Sequence, residues 1–294
     1  MSTHLSSVHS PKLDETGVAA EVTIQPPDLQ RLLVSHRGNV TFEQALSRIS
    51  NGSALLKTLS SYVYFNSIFA CGVVHLTGAI GSRQHLFRDT NEEVTVAADR
   101  SIEVAAPIFF ASIDEFGGRG PLVGRSTHRT LAQATVKAIG RFFGYDVARL
   151  NEITAPTEST LLAMRRVRNG YAMNAEVADE KVFQAIGFHI GSEILADQEF
   201  NILDRFLSDR YPDLTDQLKH ERVRVNSAEV SPYRWIQIHT VVEADHFDAA
   251  LVGANLALRY YAGPADRAQV KEWILTGFSE FATMQAEFME GLMK

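Results

Sequence analysis

Apolar residues recur at helical spacing along most of the chain, and this pattern constrains the fold more than any other feature. In the segment 175–208, the apolar residues fall on one face of a helix: Phe183, Ile186, Ile190, Ile194 and Leu195. Similar helix-length segments lie before and after it, separated by glycine runs and Gly-Pro pairs. No hairpin dipeptide lies between alternating strands, and no repeat of roughly 30 residues is present. The sequence therefore predicts an all-α bundle of eight or more helices with no secure strand.

The predicted domain organisation is a tail followed by one helical domain. Residues 1–27 are rich in Ser, Thr and Pro without sustained periodicity, which predicts a partly disordered N-terminal tail. Residues 28–294 form the predicted domain, in which 91–115 is expected to be one helix kinked at Pro107. A helical domain of this size buries most of its surface and has room for an internal polar site.

Charge and composition exclude several classes of protein. The formal net charge is −7, whereas a nucleic-acid surface needs clustered Lys and Arg. The basic run 165–168 is predicted to be a solvated helix face. The longest apolar stretch, 62–80, is interrupted by Asn66, His75 and several glycines, so no membrane span is predicted. We therefore expect neither a nucleic acid nor a membrane as a partner.

The single cysteine, Cys71, lies in an apolar run and is predicted to be a small buried hydrophobe. One thiol excludes a disulfide framework and a Cys-rich zinc site, and it is typical of a reducing compartment. The first residues lack the charged start and apolar core of a signal peptide. A cytoplasmic location is expected.

The strongest functional motif is the segment 239–246, which reads His-Thr-Val-Val-Glu-Ala-Asp-His. Steps of four and then three residues place His239, Glu243 and His246 on one helical face. Two imidazoles and a carboxylate in this arrangement are a ligand set for a first-row transition metal. The alternative is that the three residues are polar groups satisfied separately on a half-exposed helix.

A second candidate pair is Glu115 and His128, which flank a glycine-rich turn beginning at Gly117. Glu115 ends one apolar helix and His128 begins the next, so two antiparallel helices could present both side chains to the same space. Alternatively, the glycines only connect two helices, Glu115 is solvated and His128 lies near a cap.

A third candidate is Glu193, which lies one turn from His189 and one turn from Asp197 in the helical segment 187–200. Small residues around Glu193 permit close helix packing, where an inward carboxylate could lie. Otherwise Glu193 and Asp197 are surface acids. Glu199 projects from a different face and is the less favoured ligand.

The order Asp-Glu-Phe-Gly-Gly…His, a later Glu, and His-x3-Glu-x2-His resembles the haem-oxygenase-like diiron oxidases, which are often called iron-containing redox enzymes. The resemblance covers about residues 90–262. It implies a haem-oxygenase-like helical bundle that binds two iron ions (Fe2+), with O2 as co-substrate, through six ligands: Glu115, His128, Glu193, His239, Glu243 and His246. The chain departs from the family at Glu243, where Asp is common. Three further acids are open as ligands: Glu103, Asp197 and Asp245.

The resemblance also implies an activity, namely that of a non-haem diiron oxidase or oxygenase of specialised metabolism. The expected substrate is a small amino-acid-like, amine or fatty molecule that undergoes N-oxygenation, desaturation or oxidative C–C cleavage, with an external electron donor. Three arginines could hold a substrate carboxylate but are more typical of an ordinary surface: Arg125, Arg129 and Arg234.

Other functions stay open at this point. An enzyme of the same fold could be hydrolytic or cofactor-free, as in the thiaminase-like and pyrroloquinoline-quinone-synthase-like branches, and it would not need the full carboxylate set. A haem-degrading oxygenase would need a proximal histidine, for which His36 is a candidate. A non-catalytic interaction protein would instead expose a large apolar stripe. The Phe-rich segment 265–292 could serve a homodimer.

Overall fold

The computed structural model describes residues 22–117, 126–174, 176–225 and 228–293. These residues form twelve α-helices and one two-stranded antiparallel hairpin, which confirms the predicted all-α bundle. The elements are α1 Pro26–Leu33, α2 Gly38–Ser47, α3 Gly52–Asn66, α4 Phe69–Gly81, α5 Ser101–Glu115, α6 His128–Phe142, α7 Val147–Thr154, α8 Glu158–Gly170, α9 Asp179–Arg210, α10 Pro212–His220, β1 Val223–Val225, β2 Ala228–Val230, α11 Arg234–Tyr260 and α12 Arg267–Gly291.

Helix α9 is the central element of the bundle. Every residue from 182 to 193 is buried, because α12, α11, α2 and α4 pack around it. A helix that is covered on all sides has no solvated stripe, which explains why polar groups on α9 must find partners inside the protein.

Glycines allow α9 and α12 to approach closely. A Cβ atom on Gly277 would lie 1.7 Å from the backbone oxygen of Gln184, and one on Gly187 would lie 1.7 Å from the backbone oxygen of Ile274. No side chain larger than hydrogen fits at either position without movement of the backbone. The close packing expected near Gly187 is therefore present.

The ends of α5 and α6 are fixed by local capping. Helix α5 ends at Glu115, and Gly117 follows with φ 94°, a left-handed conformation that glycine adopts readily at a helix C-terminus. Helix α6 begins at His128 after the N-cap Thr127, whose hydroxyl accepts a hydrogen bond from the Thr130 backbone N–H at 3.1 Å. Both ends agree with the prediction from sequence.

Two parts of the predicted helix pattern are wrong. The predicted helix 91–115 begins only at Ser101, because residues 98–100 pair with residues 87–89, which in turn pair with the end of α11. The Arg88 N–H donates to the Tyr260 carbonyl oxygen at 2.8 Å, and the Arg100 N–H donates to that of Phe87 at 2.9 Å. The hairpin β1–β2 was not predicted, since strands of three residues are too short to show a two-residue period.

The buried position predicted for Cys71 is also wrong, because its side chain is exposed on α4. Helix α4 carries apolar residues on more than one face, and Val74 is likewise exposed. Hydrophobic character alone did not distinguish the inner face of this helix from its outer face.

The apolar stretch Gly52–Gly81 is long and apolar enough to cross a membrane by length and composition, and 28% of its most apolar window is buried. In the structure it forms two helices rather than one, α3 and α4, which separate at residues 67–68. Helix α3 packs on α6, α7 and α8, and α4 packs on α5 and α9. Both helices are therefore part of the bundle.

Most of the predicted N-terminal tail, residues 1–21, lies outside the described residues. Ile24 is buried, and its backbone N–H donates to the Asn255 side-chain oxygen at 2.8 Å. Pro26 then begins α1. The division of the chain into a tail and one helical domain stays a prediction.

Candidate metal centre

Four helices bring the six predicted site residues together in the interior. Helix α5 supplies Glu115 at its last residue, α6 supplies His128 at its first, and α9 supplies Glu193. Helix α11 contributes the remaining three on one face: His239, Glu243 and His246. Five of the six are buried, and the Glu115 side chain is 23% exposed. The six side chains are therefore neither fully solvated nor separate, although His128 does lie next to the N-cap of α6.

Glu115, His128 and His239 form the first cluster. Glu115 Oε1 lies 3.0 Å from His128 Nδ1 and 4.0 Å from His239 Nε2. The two imidazole rings are in edge contact, with centroids 4.4 Å apart. One ligand atom from each residue lies within 4.8 Å of the other two, which is compatible with one ion between them.

Glu193, Glu243 and His246 form the second cluster. His246 Nδ1 lies 3.4 Å from Glu193 Oε2 and 3.6 Å from Glu243 Oε2. Again one ligand atom from each residue lies within 4.8 Å of the others. All three residues are buried, so each carboxylate must be paired or neutralised.

Glu243 joins the two clusters. Its Oε1 lies 3.7 Å from His239 Nε2 in the first cluster, while its Oε2 lies 3.6 Å from His246 Nδ1 in the second. The two oxygens of one carboxylate therefore face two neighbouring sets of donors. This is the position that a carboxylate bridging two metal ions would occupy.

Further residues fix the orientation of the α11 imidazoles. His239 Nδ1 lies 2.6 Å from the Trp235 carbonyl oxygen and donates to it when it carries the proton, which leaves Nε2 for the cluster. The ring of Phe200 stacks on His239 at 4.0 Å. His246 Nε2 lies 3.2 Å from Asp114 Oδ2, so Nδ1 faces Glu193 and Glu243. Such outer partners select the tautomer and hold the ring of a metal-binding histidine.

The contacts of Asp114 and His189 were not predicted from the sequence. His189 Nδ1 lies 3.1 Å from Glu193 Oε1 and 3.2 Å from the Tyr171 hydroxyl, deep in the core. Asp114 is the neighbour of Glu115, and His189 precedes Glu193 by one helical turn. These spacings were visible in the sequence, but which helix each side chain would face was not.

The imidazoles lower the pKa values of two neighbouring carboxylates, Glu115 and Glu193. Burial by itself would raise the pKa of Glu115, but the adjacent His128 and His239 outweigh it and lower the value to about 2. For Glu193 the same opposition holds, and His189 and His246 lower its pKa well below the usual range. These two carboxylates are therefore ionised across the physiological range.

The pKa values of Glu243 and His246 are raised instead. Burial, together with the nearby negative charge of Glu193, raises the pKa of Glu243 well above its ordinary value. Burial opposes the charged form of His246, but Glu193 and Glu243 outweigh it and raise its pKa to about 11. Without a metal, the second cluster thus retains protons that a cation would have to displace.

The residues present fit two ions of a metal such as iron. Imidazole nitrogens and carboxylate oxygens are the donors that iron, zinc and related metals accept. Each cluster offers three of them, and Glu243 of the second cluster also faces His239 of the first. Of the three further acids, Glu103 and Asp245 are exposed and Asp197 is half-buried, and none of these three belongs to either cluster. Arg129 and Arg234 are exposed, as expected for surface arginines, and Arg125 lies outside the described residues.

The centre is most open to solvent at the C-terminal end of α5. The side chains of Asp114 and Glu115 are 32% and 23% exposed. Phe110 is also partly exposed, and its ring lies edge-on to His246 with centroids 5.9 Å apart. A small molecule approaching from this side would meet an aromatic ring and a carboxylate before it reached the imidazoles.

Comparison with known proteins supports the fold. No protein-family model and no curated protein matches the sequence. Among solved structures, the chain is similar to a CADD-like protein of unknown function from Nostoc punctiforme, with a TM-score of 0.58 and 15% sequence identity; the match covers 90% of this chain and 94% of that chain. The chain therefore shares its helical fold with a CADD-like protein of unknown function, and inside that fold it gathers three histidines and three glutamates.

Proposed function

We propose that this protein is a non-haem diiron oxidase or oxygenase that activates O2, as its resemblance to the haem-oxygenase-like diiron oxidases implies. The observation that carries the proposal is the pair of three-donor clusters, with Glu243 facing an imidazole of each. The fold it shares with a CADD-like protein supports the proposal at the level of architecture.

The role of the protein side chains follows from the geometry. His128 and His239 with Glu115 would hold one ion, and Glu193 with His246 would hold the other, while Glu243 lies between them. Two Fe(II) ions bound there would supply the electrons with which O2 is reduced. The surrounding apolar residues, such as Phe200 against His239, exclude water from the donors.

The proposed substrate is a small amine, amino-acid-like or fatty molecule that enters beside Phe110 at the end of α5. N-oxygenation, desaturation and oxidative C–C cleavage are the reactions proposed for it. Each turnover that leaves the metals oxidised would need an external electron donor. A cytoplasmic location, as expected from the single thiol, would provide reductants of this kind.

The test begins with anaerobic Fe(II) titration of the full chain. We expect saturation at two equivalents, followed by O2 consumption that depends on iron. Glu243→Gln should lower the stoichiometry because the second cluster loses one of its three donors and the first loses the carboxylate next to His239. Asp245→Asn is the matched control, since Asp245 is exposed on the same helix outside both clusters.

Two results would contradict the proposal. Saturation at one equivalent or less in the unaltered protein would remove the paired site. If the Glu243→Gln variant binds as much iron as the unaltered protein, Glu243 is not a ligand of the paired site. A hydrolytic or cofactor-free enzyme of the same fold would instead keep its activity in a chelator and consume no O2.

A further inference from the structure

A cavity of about 590 Å³ lies between α3, α8 and α12. These helices supply none of the six residues of the candidate metal centre, which belong to α5, α6, α9 and α11. The volume falls within the range of small-molecule sites, roughly 300–1,000 Å³. The cavity is therefore a separate candidate site.

Five residues with hydroxyl groups line this cavity: Thr58, Ser61, Thr157, Ser159 and Thr160. Ser61 and Thr160 form its floor and are only 7% and 2% exposed. The Thr160 hydroxyl donates to Ser61 Oγ at 3.3 Å. Within the described residues, the Ser61 hydroxyl donates no hydrogen bond of its own, so its proton is available to a ligand in the cavity.

The cavity also carries a basic group without a partner. The Lys57 ammonium has no carboxylate within 4.0 Å among the residues that the structure describes, whereas Arg166 is paired with Glu287 on α12. Arg166 and Glu287 offset one another, so Lys57 leaves the lining with a net positive charge in a protein whose overall charge is −7. Lys57 is exposed, and a cation in a cavity that also offers hydroxyl donors favours an anionic group.

The rest of the lining includes six apolar residues: Ala54, Leu162, Ala163, Met284, Phe288 and Leu292. Phe288 is nearly buried, and its ring stacks on Phe65 with centroids 4.2 Å apart, which holds it in place. A neighbouring cavity of about 680 Å³ shares Arg166 and Met284 with the first.

We propose that this cavity is a second ligand site, which binds a small amphipathic anion. Its carboxylate or phosphate group contacts Lys57 and the Ser61 hydroxyl, and its hydrocarbon part lies against Phe288 and Met284. The site is independent of the metal centre, because no residue lining the cavity belongs to either cluster.

Isothermal titration calorimetry on the full chain tests the proposal with four probes that carry the same eight-carbon tail: octanoate, octyl phosphate, octanol and octylamine. We expect saturable one-to-one binding of octanoate or octyl phosphate, and the stronger of the two identifies the anionic group. Octanol should bind at least tenfold more weakly. Octylamine binding as tightly as the anions would overturn the proposal.

Variants then locate the site. Lys57→Gln should weaken binding of the anion at least tenfold, and Lys219→Gln, an exposed lysine on α10 outside the cavity, should leave it unchanged. Ala54→Phe should also abolish binding, because the larger side chain would fill part of the cavity. Equal affinity in the Lys57→Gln and unaltered proteins, or full binding by Ala54→Phe, would overturn the assignment. Iron stoichiometry should stay the same in the Lys57→Gln variant, so a failure here is distinct from a failure of the diiron proposal.

Discussion

Glu199 is a buried carboxyl group whose proton affinity should control stability at neutral pH. It lies on α9, 2% exposed, outside both clusters. The Tyr62 hydroxyl donates to Oε2 at 2.5 Å and the Gln285 amide donates to Oε1 at 2.6 Å. Burial outweighs these two hydrogen bonds and raises the pKa of Glu199 from 4.5 to about 7. We therefore predict that Glu199→Gln, which mimics the neutral acid, stabilises the protein above pH 7.

The magnitude follows from the shift in proton affinity. A tenfold change in affinity corresponds to about 1.4 kcal/mol, so ionising Glu199 costs roughly 3 kcal/mol more in the folded protein than in the unfolded chain. Below pH 4.5 the group is protonated in both states and costs nothing. Between pH 4.5 and 7 only the unfolded chain ionises readily, so stability falls as pH rises. Above pH 7 the full penalty is present.

Urea denaturation at intervals from pH 5 to pH 8, in a chelator to exclude metal binding, measures this penalty. The free energy of unfolding of Glu199→Gln relative to the unaltered protein should rise by about 2.5 kcal/mol across that range, since a small part of the penalty is already present at pH 5. This corresponds to roughly 4 °C in melting temperature for a chain of this length. Glu290→Gln, an exposed acid on α12, is the matched control and should show no such trend. A Glu199→Gln difference that is constant with pH would refute the reasoning.

Three further predictions concern packing and the candidate metal centre. Gly277→Ala should lower the free energy of unfolding by about 3 kcal/mol or more because its Cβ would overlap the α9 backbone. The control Gly78→Ala has open space around its Cβ and should raise the free energy of unfolding by about 0.5–1 kcal/mol. Equal effects of the two variants in urea denaturation would contradict the close helix contact. Asp114→Asn should weaken Co(II) binding about 10- to 100-fold in a spectroscopic titration without changing its stoichiometry, since His246 loses a charged partner. Unchanged affinity would show that Asp114 does not orient His246 for metal binding. Metal binding should tighten as the pH rises from 6 to 8, because Glu243 and His246 have raised pKa values and must release protons when the metal binds. Calorimetry that detects no proton release on metal binding would contradict this prediction.

The sequence alone was sufficient for the helical class and for the ligand spacing on α11. His239, Glu243 and His246 share a face because 3.6 residues complete one turn, and this local rule needs no knowledge of the rest of the chain. The ends of α5 and α6 were predictable for the same reason, since Gly117 and Thr127 act on the residues next to them.

Only the tertiary structure decided which faces meet. Glu193 could have been a surface acid, and it is buried because α11 and α12 cover α9. The contacts of Asp114 with His246 and of His189 with Tyr171 depend on how separate parts of the chain pack together, so the sequence did not predict them. The lost first turns of the predicted helix 91–115 have the same origin, since residues 98–100 pair with residues 87–89 instead of continuing the helix. Sequence spacing fixes neighbours along one helix, whereas neighbours on different helices depend on how side chains of all of them pack together.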